Sequence, residues 1–120
     1  MISRKEWLVL TDKEATAECR YEILRRAWDL PTCFLAEHMR TRCGSGPDAW
    51  ELSMMKTGID SEDKRLNESF LDWIVNGSGL DTFVKDAIQE FGRGGILSTF
   101  DRVERMAEIG SNTFYIYKRY

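Results

Sequence analysis

The segment from Leu80 to Phe91 constrains the fold of this chain more than any other. Leu80, Phe83, Val84, Ala87, Ile88 and Phe91 follow one another at helical spacing, so they form one apolar stripe along an amphipathic helix. A stripe that long is stable only against a second apolar surface, and the chain supplies several. The segment after Thr11-Asp12-Lys13-Glu14 begins with a capping box, in which the Thr11 hydroxyl accepts from the third helical amide while Glu14 reaches back. A helix is expected there from about Asp12 to Asp29, with Cys19, Ile23, Leu24, Ala27 and Trp28 on its apolar side. Pro31 interrupts it and serves as a first-turn residue of a second helix running to Arg42. Gly44-Ser45-Gly46-Pro47 is a loop inside one domain. Ala49 to Lys56 fits either period and is read as a short helix, and Glu62 to Val75 is a further helix with Leu66, Phe70, Trp73 and Ile74 on one face. Asn76-Gly77-Ser78-Gly79 ends that helix with residues that tolerate left-handed backbone.

Beyond Phe91 the pattern changes. Gly92-Arg93-Gly94-Gly95 reads as a helix stop and turn, since each glycine costs a helix about 1 kcal/mol relative to alanine. Thr113 to Tyr120 is rich in aromatic and β-branched residues and is the best strand candidate. A terminal strand needs a hydrogen-bonding partner, so residues 96 to 120 are read as sheet. Within them, Val103 to Ile109 is either the partner strand of a hairpin or an extension of helix. The expected fold is α+β: four to five helices followed by a small C-terminal antiparallel sheet, in a single domain spanning residues 1–120.

Composition excludes more than it proposes. The 120 residues carry a formal charge of only -3, too weak a field to indicate nucleic acid or an anionic membrane by itself. The acidic excess lies mid-chain, where residues 44–79 hold seven Asp or Glu against three Lys or Arg. No apolar run approaches the roughly eighteen residues of a membrane span, and no secretion signal opens the chain. Three cysteines, an odd number, then favour reduced thiols and a cytoplasmic setting.

Motifs for chemistry are sparse. Cys33, His38 and Cys43 have the spacing of the last three ligands of a zinc knuckle, but Leu30 stands where the first cysteine belongs. Ligands five residues apart do not share a helix face, and the three read as two small buried thiols with a helix-surface histidine. His38 is the only histidine, so a Ser-His or Cys-His mechanism must use it. Cys33 and Cys43 are out of its reach on a regular helix. The glycines at 92–95 follow a helix, whereas a phosphate-binding loop follows a strand and opens a helix. No catalytic set, metal or cofactor is expected.

Two surfaces are candidates for binding a partner. Asp60, Glu62, Asp63, Glu68 and Asp72 make an acidic segment, either a solvated helix face or a surface that meets a basic partner. On the final strand Phe114 and Ile116 point to the core, and Tyr115, Tyr117 and Arg119 point the other way. That second face is either an interaction surface, for which Tyr and Arg are favoured, or a sheet edge against a helix.

The C-terminal quarter resembles small uncharacterised proteins of phages and prophages. The residues that carry the resemblance are Gly92-Arg93-Gly94, Leu97-Ser98, Phe100-Asp101 and Tyr115-Ile116-Tyr117-Lys118-Arg119, and the opening Leu10-Thr11-Asp12 with Glu14-Ala15 is similar. In those proteins a glycine usually follows the aromatic-Asp pair, where this chain has Arg102. The resemblance implies an origin in a mobile element. The functional expectation is a non-enzymatic inhibitor that binds a host protein or ribonucleoprotein defence complex, in the manner of an anti-CRISPR protein. The alternative is a small nucleic-acid-binding regulator using the Arg-rich first helices or the C-terminal aromatics.

Overall fold

The computed structural model describes residues 7–44, 46–56 and 64–119, with the backbone alone for residues 49, 54–56 and 64–66. Among the described residues the order is β1 (Trp7–Leu10), α1 (Asp12–Arg25), a 3-10 turn (Ala27–Asp29), α2 (Thr32–Arg42), α3 (Ala49–Lys56), α4 (Lys64–Asn76), α5 (Leu80–Leu97), β2 (Glu104–Ile109) and β3 (Asn112–Lys118). This is the expected α+β class, five helices and then a small antiparallel sheet. The chain divides into two compact units, Met1–Ile23 with Ile88–Tyr120, and Leu24–Ala87.

The first unit is built on the sheet, whose strand order is β1-β3-β2. The β2–β3 hairpin closes through Gly110-Ser111, with Ile109 opposite Asn112. Gly110 has φ 65°, the left-handed backbone that a tight hairpin turn requires at its first central position. β1 was not anticipated. Four apolar residues carry too little pattern to read as a strand, and its partner lies at the far end of the sequence, with Leu8 opposite Tyr117 and Leu10 opposite Tyr115. α1 starts as its capping box demands: the Thr11 amide donates to Glu14 Oε1 at 3.0 Å and the Glu14 amide to Thr11 Oγ1 at 3.3 Å. Ala15, Cys19 and Ile23 on α1 join Leu10, Leu97 and Tyr117 among the buried apolar residues of this unit. Burial pushes the Cys19 thiol up to about 12, so it stays protonated and inert.

Residues 96 and 97 are helical, not strand. Gly92, with φ 72° and ψ 159°, breaks α5, and the helix resumes through Leu97. The glycines therefore make a kink, not the expected stop. Gly94 is needed for a close approach, because a Cβ there would lie 2.7 Å from both the Arg102 carbonyl oxygen and the Glu104 amide nitrogen. Leu97-Ser98 and Phe100-Asp101 lie at this corner. The buried Ser98 hydroxyl donates to the Lys118 carbonyl at 2.7 Å and accepts from the Arg102 amide at 3.2 Å. Asp101 accepts from the Val103 amide at 3.2 Å and pairs with Arg105 at 2.6 Å, which holds its carboxyl near 2. Arg102 has φ 58°, a left-handed conformation that favours glycine.

The second unit is helical. Asn67 on α4 explains why one expected helix is two pieces: its Oδ1 accepts from the Trp28 amide at 3.0 Å and its Nδ2 donates to the Leu24 carbonyl at 2.9 Å. A side chain from elsewhere thus replaces backbone partners where α1 ends and the 3-10 turn begins. Pro31 lies just outside α2, with ψ 136°, instead of within its first turn. The core of this unit holds Trp28, Leu35, Met39, Leu52, Phe70, Ile74, Phe83, Val84 and Ala87. Trp73 stands at the rim of the α4 stripe, 40% exposed. Trp28, Phe70 and Phe83 form an aromatic series, tilted between Trp28 and Phe70 at 5.4 Å and edge-on between Phe70 and Phe83 at 6.0 Å.

Candidate functional site

His38 follows Leu35 by three residues and precedes Met39 by one, so helical spacing puts all three on one side of α2, and all three are buried. The sequence reading had it reversed: the histidine is inside, Cys33 is exposed and Cys43 half-buried. Phe83 meets the imidazole edge-on at a centroid distance of 5.0 Å, and Phe34 lies at 6.3 Å. A buried imidazole needs partners for both nitrogens, and the loop and helix beyond α4 supply them. Nδ1 lies 2.9 Å from Asp86 Oδ2 on α5, and Nε2 lies 2.8 Å from Ser78 Oγ in the connection between α4 and α5.

The proton positions follow from the groups themselves. Burial among the aromatic rings lowers the pKa of His38 below 6.5 against the pull of Asp86, so the ring is neutral near pH 7. For Asp86 burial acts upward, but hydrogen bonds from Arg42 and His38 outweigh it and hold the carboxyl below its ordinary value. An ionised carboxylate only accepts, so Nδ1 carries the hydrogen, Nε2 keeps its lone pair, and the Ser78 hydroxyl donates to it. Arg42, one helical turn after His38, grips the same carboxylate with Nε at 3.0 Å from Oδ2 and Nη2 at 3.1 Å from Oδ1. The resulting order is carboxylate, imidazole, hydroxyl.

The expectation that His38 has no nucleophile within reach considered only the cysteines. Ser78 and Asp86 come from 40 and 48 residues away, and their residue types in a glycine loop and on a helix face gave no separate signal. The spacing of His38 with Leu35 and Met39 is a signal for an inward-facing side chain that the surface assignment passed over. With both nitrogens engaged, the zinc-knuckle spacing brings no free histidine lone pair to a metal. Among the described residues no group of three or more His, Cys, Asp or Glu is placed to hold one.

The second feature belongs to the sheet. Tyr115 and Tyr117 share a face with Leu8 and Leu10 by register, and this face is the inner one: Tyr117 is fully buried and its hydroxyl hydrogen-bonds Glu104 Oε1. Tyr117 therefore does not belong to an exposed contact surface, which corrects the face assignment. The physical reason is Arg93 of α5, which lies 4.5 Å over the Tyr115 ring and pairs with Glu104 at 2.8 Å and with Asp12 at 2.8 Å, so helix and sheet are stitched together on that side. The outer face carries Trp7, Val9, Phe114, Ile116, Lys118, Arg105, Ala107 and Ile109, none of them buried. Arg105 and Lys118 lie 5.7 and 5.6 Å from the Trp7 ring, and Lys118 lies 4.1 Å from the Phe100 ring.

Of the other candidates, Arg119 is half-buried, and its carbonyl accepts from the Thr99 hydroxyl at 2.7 Å. Glu68 and Asp72 are exposed on α4, as either reading of the acidic segment requires. Asp60, Glu62 and Asp63 lie outside the described residues. Among the described residues no helix is long and apolar enough to cross a membrane. The chain matches no protein-family model, no curated protein and no solved structure.

Proposed function

We propose that this chain is a binding protein whose contact surface is the outer face of the three-stranded sheet. The observation that carries the reading is the composition of that face: Trp7, Val9, Phe114 and Ile116 are only half-buried, and Ile109 is 65% exposed. Aromatic and aliphatic groups in the middle with cations over the rings is the pattern of interface cores, where aromatic residues and Arg are enriched. The resemblance of the C-terminal quarter to phage proteins supports a host defence complex as the partner, in the manner of an anti-CRISPR inhibitor. Exposed Glu68 and Asp72 are a second contact, to a basic region of that partner.

The test is a pull-down with the tagged chain from a host that carries CRISPR or restriction systems, beside phage survival on expression. Recovery of a defence protein, lost on Ile109→Asp and retained by Glu68→Gln with Asp72→Asn, supports the sheet face. The reverse pattern moves the contact to α4. No defence protein and unchanged phage survival sink the proposal.

One observation favours a nucleic-acid reading: Lys118 and Arg105 stacked on Trp7 and Phe100 resemble the cation and aromatic platform on which single strands stack. A mobility-shift titration at rising salt separates the two readings, since phosphate contacts weaken steeply with salt.

A further inference from the structure

We propose that Ser78, His38 and Asp86 form a nucleophilic relay through which Ser78 accepts an acyl group from an activated carboxylic ester or thioester. The proposal belongs to the helical unit and does not depend on what the sheet binds. Each link is at hydrogen-bond distance, 2.9 Å from Asp86 to Nδ1 and 2.8 Å from Nε2 to Ser78 Oγ. The two ring nitrogens are used in the order that catalysis by a serine requires, with carboxylate on one and hydroxyl on the other. The hydroxyl has a rival acceptor in the Gly79 carbonyl, but at 3.2 Å it is the longer contact, so the proton is directed to Nε2.

Access separates this arrangement from a sealed core network. His38 has a side-chain exposure of 1%, whereas Ser78 as a residue keeps intermediate exposure, so the base is the more shielded of the two. Gly79 follows with φ 86°, and a Cβ built on it meets nothing within 4 Å beyond its chain neighbours, so no other element packs over the backbone at that point. α5 begins at Leu80, two residues beyond Ser78, and the N-terminal end of a helix carries partial positive charge that favours a developing oxyanion.

The chemistry balances without a cofactor. Ser78 Oγ attacks the carbonyl carbon while its proton moves to His38 Nε2, and the imidazolium is held by Asp86. The tetrahedral adduct collapses, His38 returns the proton to the departing oxygen or sulfur, and an alcohol or thiol leaves with the acyl group on Oγ. Water then attacks the acyl-serine, giving its proton to His38, which passes it to Ser78 as the carboxylic acid departs. Arg42 shares the Asp86 carboxylate and so withdraws charge from the imidazolium's partner, which makes the relay slow and suits it to activated esters.

The experiment uses the full chain with p-nitrophenyl acetate and, separately, a fluorophosphonate, read by nitrophenolate release, intact mass and peptide mapping. The expected result is a single adduct on Ser78 that is absent in Ser78→Ala and forms about 100-fold more slowly in His38→Gln, the scale of a lost general base. Because His38→Gln alters a buried site, Asp86→Asn is the companion variant, with folding of each checked by its urea midpoint. Slower labelling of Ser78 in folded Asp86→Asn supports the relay. No adduct on wild-type Ser78, or one that forms equally fast in folded Asp86→Asn, overturns it.

Discussion

Two neighbouring glycines in α5 are predicted to respond oppositely to the same substitution. In a helix interior, replacing glycine by alanine gains about 1 kcal/mol from backbone entropy. At Gly95 nothing opposes the gain, because the added methyl would lie 3.6 Å from Phe91 Cβ, an ordinary contact. At Gly94 the same methyl would overlap the Arg102 carbonyl oxygen and Glu104 amide nitrogen at 2.7 Å and the Val103 carbonyl carbon at 2.9 Å. These are backbone atoms of the segment that enters β2, held by the Ser98 hydroxyl and by pairing of Glu104 with Tyr117, so they cannot swing aside as a side chain would. Overpacking costs about 1–3 kcal/mol; taking the upper end and subtracting the helical gain leaves Gly94→Ala about 2 kcal/mol less stable. Gly95→Ala is about 1 kcal/mol more stable. With a urea slope of about 1.5 kcal/mol/M the two midpoints separate by about 2 M. Equal midpoints at unchanged slope would refute the close-approach argument, and so would a Gly94→Ala protein more stable than the parent.

The remaining predictions concern the same corner and the buried histidine. Arg102→Gly relieves a left-handed residue with φ 58° and raises stability by about 0.5–1 kcal/mol, the left-handed penalty less glycine's greater unfolded freedom, read as a higher urea midpoint. Ser98→Ala removes the hydroxyl that joins the Lys118 carbonyl to the Arg102 amide and costs about 1–3 kcal/mol; hydrogen exchange at Arg102 speeds up with it. Since His38 is the sole histidine and its folded pKa lies below 6.5, the unfolded chain binds its proton first. Its contribution to stability is full above about pH 6.5 and is lost as pH falls through the lowered folded value, at no more than about 1.4 kcal/mol per pH unit for one proton. Urea midpoints at about pH 7.5 and about pH 5.5 show this loss in the parent and not in His38→Gln.

The helices were legible where local physics decides them. The Leu80–Phe91 stripe, the Thr11–Glu14 box and the loop at 76–79 state their own structure, because periodicity, capping and backbone freedom act within a few residues. α1 is the instructive failure: its apolar pattern continues through Trp28, but Asn67 satisfies the backbone at Leu24 and Trp28, and no local rule anticipates a partner from another helix. The same holds for β1, whose four residues become a strand only beside β3, and for Ile96 and Leu97, where the Gly92 kink lets a helix continue through residues of strand-like content.

By itself the sequence determined an α+β chain, its helical stripes and the C-terminal hairpin candidate, since each depends on nearest neighbours along the chain. Only the tertiary structure decided which sheet face is buried, because Phe114/Ile116 and Tyr115/Tyr117 alternate as two plausible faces until Arg93 bridges Glu104 and Asp12 on one of them. It alone also joined Ser78, His38 and Asp86. Their meeting depends on how α2 and α5 pack, and packing is set by whole apolar faces fitting together, a property no single segment carries.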